Sequence, residues 1–376
     1  MKKSPAIMRM YAIFFSTLVL YGNAFAKEKL SNRLIHPELP VGEITIDDPK
    51  AVPWDLSFSK ESGRITITGL GDISLAEKNG QIWEAQPEEG STSRISIESS
   101  EGQGYLSLGS HVYDEASGRL FVCSNKMETD KKSSSEVAPS VVSFQLSPDG
   151  SFVWAGSTKF TDKPGQICGG LAIVKGVLFA INKYATDTTY PAVYATDIGN
   201  TSKLPETMPV VQTYGDIGYT SEQTIKKYDL ITSVRGKNHQ SEDSWSVYLL
   251  DSARLNIMEV SFKKDEKSGV IERSGEITEL LLPKDMSLPI TFYNYDDSNF
   301  FVAAEIINIY LIRYSPEGEA TIIWTASSPS LITGITVGSE KSSEGEEPVR
   351  TVYTTSPVLV KDKYVISKFS FPTIDL

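Results

Sequence analysis

Histidine and cysteine are scarce in this 376-residue chain, with three of the former and two of the latter. So few imidazoles and thiols cannot build a Cys/His zinc centre of the usual four-ligand kind. Basic residues are outnumbered: 36 Lys and Arg stand against 48 Asp and Glu, a formal net charge of −12. Binding to nucleic acid or to an anionic membrane surface needs a basic face, so the charge balance excludes both as partners. The chain also lacks a Gly-x-Ser-x-Gly elbow, a phosphate-cradling loop and a His-Glu-x-x-His pair, and no Ser-His-Asp arrangement can be assembled from it. Beyond Leu20 no apolar run approaches the roughly 20 residues that a membrane-spanning helix needs.

What is present begins with a leader. Lys2, Lys3 and Arg9 precede an apolar run from Met10 to Leu20, and Gly22 to Ala26 ends in Ala-x-Ala. This is a secretory signal peptide over residues 1–26, with cleavage after Ala26 and secretion as the expected destination. Residues 27–53 are polar and proline-containing, an extended lead-in suited to closing the last sheet of a ring.

Hydrophobic residues at 40% and charged residues at 22% describe an ordinary folded domain, and 17 Tyr, 15 Phe and 27 Gly suit short strands joined by tight turns. From Trp54 a strand-turn-strand unit recurs. The run from Trp54 to Thr68 turns at Ser62-Gly63, and the run from Gly109 to Cys123 repeats it with Ser117-Gly118. Further copies start near Gly170, Tyr228, Ile290 and Leu331. In the fourth copy Val247–Leu250 ends on Asp251 and a second strand runs from Leu255 to Phe262. Unit starts lie roughly 40–60 residues apart, the spacing of propeller blades with long loops. The fold class is therefore all-β: over residues 54–376, a six-bladed β-propeller of four-stranded antiparallel blades. A seventh blade stays open if the region from Ile82 to Ile97 forms its own sheet.

In such a ring, first strands begin and second strands end on one face of the disc. Polar residues there converge on a funnel, which nominates His111, Asn125, Lys126, Asn182, Lys183, Tyr228, Asp229, Asp251, Tyr293, Asn294 and Glu305 as ligand-binding positions. Asn125-Lys126 and Asn182-Lys183 are near copies at the ends of successive second strands. Asn and Asp at strand ends also make turns by bonding their own backbone, and a lone His is often a satisfied packing residue. Tyr228 and Tyr293 supply aromatic walls for a small, largely apolar ligand. Cys123 and Cys168 lie at neighbouring strand ends, so they either form one disulfide between adjacent units or remain thiols. Asn200 heads the sequon Asn-Thr-Ser, a site for N-glycosylation in a eukaryotic host.

The strand-Asp-Ser-loop-strand pattern of Tyr248 to Ser252, followed by Ile257 to Phe262, resembles the six-bladed propellers of the gluconolactonase/senescence-marker and NHL-repeat superfamily. That resemblance implies a divalent cation held at inner-strand starts. The matching positions here are Trp54 or Asp55, Ser110, Gly169 or Gly170, and Asp229, of which only the aspartates suit a hard cation. The length, the leader and the lead-in from His36 to Gly42 are also similar to secreted propeller-like accessory proteins of fungal trichothecene clusters. That similarity implies a role in toxin production or virulence without a defined reaction. The leading expectation is a secreted, monomeric propeller that binds a small apolar metabolite and needs no cofactor. One rival is a metal-dependent hydrolase of lactones or esters, with Asp229, Asp251 and Glu305 around Ca²⁺ or a similar ion. A protein-interaction module using the disc face is the other.

Overall fold

A computed structural model describes residues 37–71, 80–88, 90–98, 108–124, 140–161, 166–199, 203–224, 230–237, 244–265, 267–295, 299–340 and 349–371. The leader and its cleavage point lie outside the described residues, as do Asn125, Lys126, Asn200, Tyr228 and Asp229.

Strand β1 (Gly42–Ile46) opens the described chain but belongs to its last sheet. Blade I consists of β2 (Pro53–Phe58), β3 (Ile65–Gly69), β4 (Gln81–Ala85) and β5 (Thr92–Ile95). The short β6 (Ile97–Glu98) then crosses to the next blade. Blade II consists of β7 (His111–Asp114), β8 (Arg119–Ser124), β9 (Ser140–Leu146) and β10 (Phe152–Lys159), and β6 pairs with β10 in parallel. Blade III is built from β11 (Cys168–Val174), β12 (Val177–Asn182), β13 (Pro191–Asp197) and β14 (Val210–Thr213). In blade IV, β15 (Ile231–Gly236), β16 (Ser244–Asp251) and β17 (Asn256–Lys264) are followed by β18 (Ile271–Arg273) and β19 (Thr278–Leu281), both paired with β17. Blade V contains β20 (Pro289–Tyr295), β21 (Phe300–Glu305), β22 (Asn308–Tyr314) and β23 (Ala320–Ser327). Blade VI contains β24 (Gly334–Glu340), β25 (Val349–Thr355) and β26 (Tyr364–Ser370), with β1 as its outermost strand.

The inner strands β2, β7, β11, β15, β20 and β24 neighbour one another in that order, and β24 returns to β2. The result is an all-β, six-bladed propeller. Residues 81–85 and 92–95 are outer strands of blade I, which removes the option of a seventh blade over Ile82 to Ile97.

Local sequence explains these elements. Gly63 and Gly118 take φ of 68° and 66°, left-handed values that glycine adopts without a Cβ clash, and each closes a hairpin by donating to the carbonyl four residues earlier. Second strands β8, β12 and β21 are buried at every position. They read as continuous apolar runs because a neighbouring blade covers each face, whereas outer strand β23 alternates between sheltered and exposed.

The core is divided rather than central. Among the described residues there are six buried apolar clusters, one at each seam between adjacent blades. A disulfide between Cys123 at the end of β8 and Cys168 at the start of β11, with Cα atoms 5.5 Å apart, ties blade II to blade III. Two seams are closed by glycine. A Cβ on Gly338 would sit 2.6 Å from the Phe58 ring, and one on Gly236 would sit 2.7 Å from a Val174 methyl.

Candidate functional site

First strands start, and second strands end, on the same face of the disc. There Asn182, Asp251 and Glu305 are the last residues of the second strands in blades III, IV and V. They are 0%, 0% and 5% exposed, and the surrounding loops engage their polar atoms. Asn182 Oδ1 accepts from the Ile167 N–H at 2.9 Å, and its Nδ2 donates to the carbonyls of Tyr184 and Pro191 at 2.6 and 2.9 Å. Asp251 Oδ1 accepts from the N–H groups of Ala253 and Arg254 at 3.0 and 2.8 Å, and Oδ2 accepts from Arg254 Nε at 2.5 Å. Glu305 Oε1 accepts from the N–H groups of Ser287 and Leu288 at 2.8 and 2.9 Å and from the Ser287 hydroxyl. These three side chains fasten the rim loops one strand away from the axis. Lys183 leans inward instead, its Cβ 3.0 Å from where a Gly169 Cβ would stand at the start of β11. Ser110, one of the positions matched to a lactonase ligand, donates to the Gly169 carbonyl at 3.2 Å. The described residues contain no group of three His, Cys, Asp or Glu placed to share a metal ion.

The first strand of a blade leaves one edge unpaired toward the axis, and its N–H groups need acceptors. Asp55 supplies two of them. Its Oδ1 accepts from the Leu56 N–H at 2.9 Å and its Oδ2 from the His111 N–H at 3.1 Å, bridging β2 and β7. The His111 ring closes the same seam. Its Nε2 lies 2.8 Å from Ser57 Oγ and its Nδ1 lies 2.9 Å from Thr68 Oγ1. The single Thr68 hydroxyl proton goes to the Gly109 carbonyl at 2.6 Å. Nδ1 therefore carries the ring proton toward Thr68, and Nε2 accepts from Ser57. Burial lowers the His111 pKa, the Asp55 carboxylate opposes that shift, and the charge of Arg235 reinforces it. The imidazole is held neutral.

Asn294 and Tyr293 lie on β20. Phe292 joins the cluster between blades IV and V, while Tyr295, with Tyr293 packed against it, belongs to the one between V and VI. Alternation along the strand therefore turns Asn294 toward blade IV. It is 7% exposed, and neither Oδ1 nor Nδ2 has a hydrogen-bond partner. Such a group is costly to bury alone and ordinarily marks an unseen water, ion or ligand.

Arg235, opposite it on β15, is absent from the candidates drawn from the sequence. The penultimate residues of the six inner strands are Ser57, Tyr113, Ile173, Arg235, Asn294 and Ser339. One charge in a ring of neutral residues is the signal that unit-by-unit alignment offers for it. Arg235 is half-buried, and its Nη1 donates to the Val234 carbonyl at 2.9 Å. No carboxylate pairs with it among the described residues, whereas Lys237 is matched by Glu259 at 2.7 Å. Arg235 and Tyr248 are cross-strand partners in blade IV, and Asn294 and Phe301 are cross-strand partners in blade V. The Tyr248 and Phe301 rings meet edge to face with centroids 5.2 Å apart, so Arg235 and Asn294 stand, by register, beside the two residues of one aromatic contact.

No protein-family model and no curated protein sequence matches the chain. Among solved structures it is similar to the major allergen Mala s 1 of Malassezia sympodialis, with a TM-score of 0.56 and 15% identity over 87% of this chain and 94% of that one. It is also similar to the α-L-arabinanase of Penicillium chrysogenum complexed with arabinobiose, with a TM-score of 0.53 and 13% identity over 88% and 98%. The periplasmic gluconolactonase of Pseudomonas aeruginosa aligns at a TM-score of 0.40 with 12% identity, over 74% and 86%. At such identities the likenesses to the allergen and the arabinanase establish the fold alone.

Proposed function

We propose that this chain is a secreted binding propeller that holds a small, largely apolar metabolite at the axial end of a blade seam and performs no chemistry on it. The biological setting is the one the sequence resemblance implies, accessory to fungal toxin biosynthesis or to virulence. One observation carries the binding function: Asn294, a buried carboxamide with both polar atoms unpartnered and turned into an aromatic seam. Ligand sites combine mostly apolar walls with a few polar groups that fix orientation, and this seam has both. A metal-dependent hydrolysis would instead need Asp251 to give up the Arg254 guanidinium and the backbone N–H groups that engage both its oxygens.

The test is a thermal-shift screen of the mature protein against small apolar metabolites that carry one polar group. A ligand bound only by the folded state raises stability by about 2.7 kcal/mol at a hundredfold excess over Kd. The expected result is a hit whose shift disappears in Asn294→Ala. A library without a hit, or hits indifferent to Asn294, would overturn the function.

A further inference from the structure

We infer that the ligand is an organic anion: a small monocarboxylic acid with a flat apolar body, its carboxylate taken by Arg235. This deepens the binding function proposed above and rests on it.

Three features of the seam between blades IV and V converge. Arg235 is a half-buried cation with no carboxylate partner among the described residues, in a chain whose net charge is −12. A guanidinium presents a planar fork of donors that fits a carboxylate with two parallel hydrogen bonds. Asn294 faces it from β20 with a free donor and a free acceptor, which suits a carbonyl or hydroxyl beside the acid group. Behind them the buried rings of Tyr248, Phe301 and Tyr314 pack edge to face at 5.2 and 5.6 Å and make the seam aromatic, which favours an unsaturated body. The Tyr314 hydroxyl is buried without a partner, and burial pushes its pKa up, so it stays a neutral donor. One cation without a carboxylate partner among the described residues balances one negative charge. A phosphate dianion would leave a surplus charge beside apolar walls, and a neutral ligand would leave the guanidinium uncompensated. Lys237, over the Tyr248 ring at 5.8 Å from its centroid, already has an anionic partner in Glu259 at 2.7 Å.

The experiment is isothermal titration of the mature protein with benzoate, phenylacetate, cinnamate and hexanoate, each beside its neutral amide. At least one acid is expected to bind ten times more tightly than its amide or better. Arg235→Gln should remove that preference, and Arg235→Lys, which keeps the charge but loses the fork, should retain part of it. Circular dichroism melts of both variants check that the fold persists. Acids and amides binding alike, with Arg235→Gln altering neither, would overturn the anion while leaving the binding function intact. No binding by any of these probes would also overturn it. The binding function falls as well only if the wider metabolite screen is empty.

Discussion

Strand β2 shows unlike faces to its two neighbours. Toward blade VI it presents Leu56 and Phe58, with Phe58 stacked on Tyr353 at 6.4 Å and pressed against Gly338. Toward blade II it presents Asp55 and Ser57, both bonded to His111. The first seam is specified by volume and the second by hydrogen bonding. A methyl group should break one and a proton the other. This difference shows how a ring of similar sheets fixes the order of its seams: each combines the same strand geometry with a different kind of complementarity.

The largest effect should come from added volume. Gly338→Ala places a Cβ on the Phe58 ring and is expected to lose about 1–3 kcal/mol, measured by urea unfolding. A loss below about 0.5 kcal/mol would mean that the seam relaxes freely and is not specified by volume. Next is His111→Leu, which keeps the bulk but strands the Ser57 hydroxyl and removes the donor to the Thr68 oxygen, for an expected loss of about 1–2 kcal/mol at pH 8. The same variant isolates the pH dependence. Burial holds the His111 pKa below the ordinary histidine value of 6.5. As pH falls below 6.5 the unfolded chain therefore takes up a proton that the folded chain refuses, and stability declines until the folded pKa is passed. Unfolding curves between pH 8 and 5 should show the wild type losing stability relative to His111→Leu, by at most about 1.4 kcal/mol per pH unit. Parallel curves would mean that the imidazole is not held neutral. The smallest effect is Ser57→Ala, about 1 kcal/mol for one lost hydrogen bond, with the pH dependence kept.

The architecture was legible in the sequence because each unit repeats a local code: alternating apolar residues, a Ser-Gly turn, then a continuous apolar strand. Gly63 and Gly118 do what their sequence context implies. The seam glycines were not legible. Gly236 and Gly338 matter through Val174 and Phe58, which belong to different blades, and such approaches follow from the ring rather than from any one unit. The candidate site divides the same way. Asn182, Asp251 and Glu305 were recognisable as strand-end residues, but composition does not reveal that Ile167, Arg254 and Ser287 occupy their polar atoms. No funnel-face position marks Arg235, because it lies near the end of a first strand, away from the face where first strands start and second strands end. Asn294, read as a strand-start residue, lies near the far end of β20 and comes to share a seam with Arg235 only once blades IV and V pack.

The most direct test of the binding function is the substitution Asn294→Leu. If the carboxamide is kept for a ligand at the expense of the fold, leucine should fill the same space without an orphaned polar group. The variant should then resist urea better than the wild type by about 1–3 kcal/mol, and it should no longer bind the metabolite found by screening. A variant that is less stable than the wild type, or that binds as well as it does, would contradict a ligand site at Asn294.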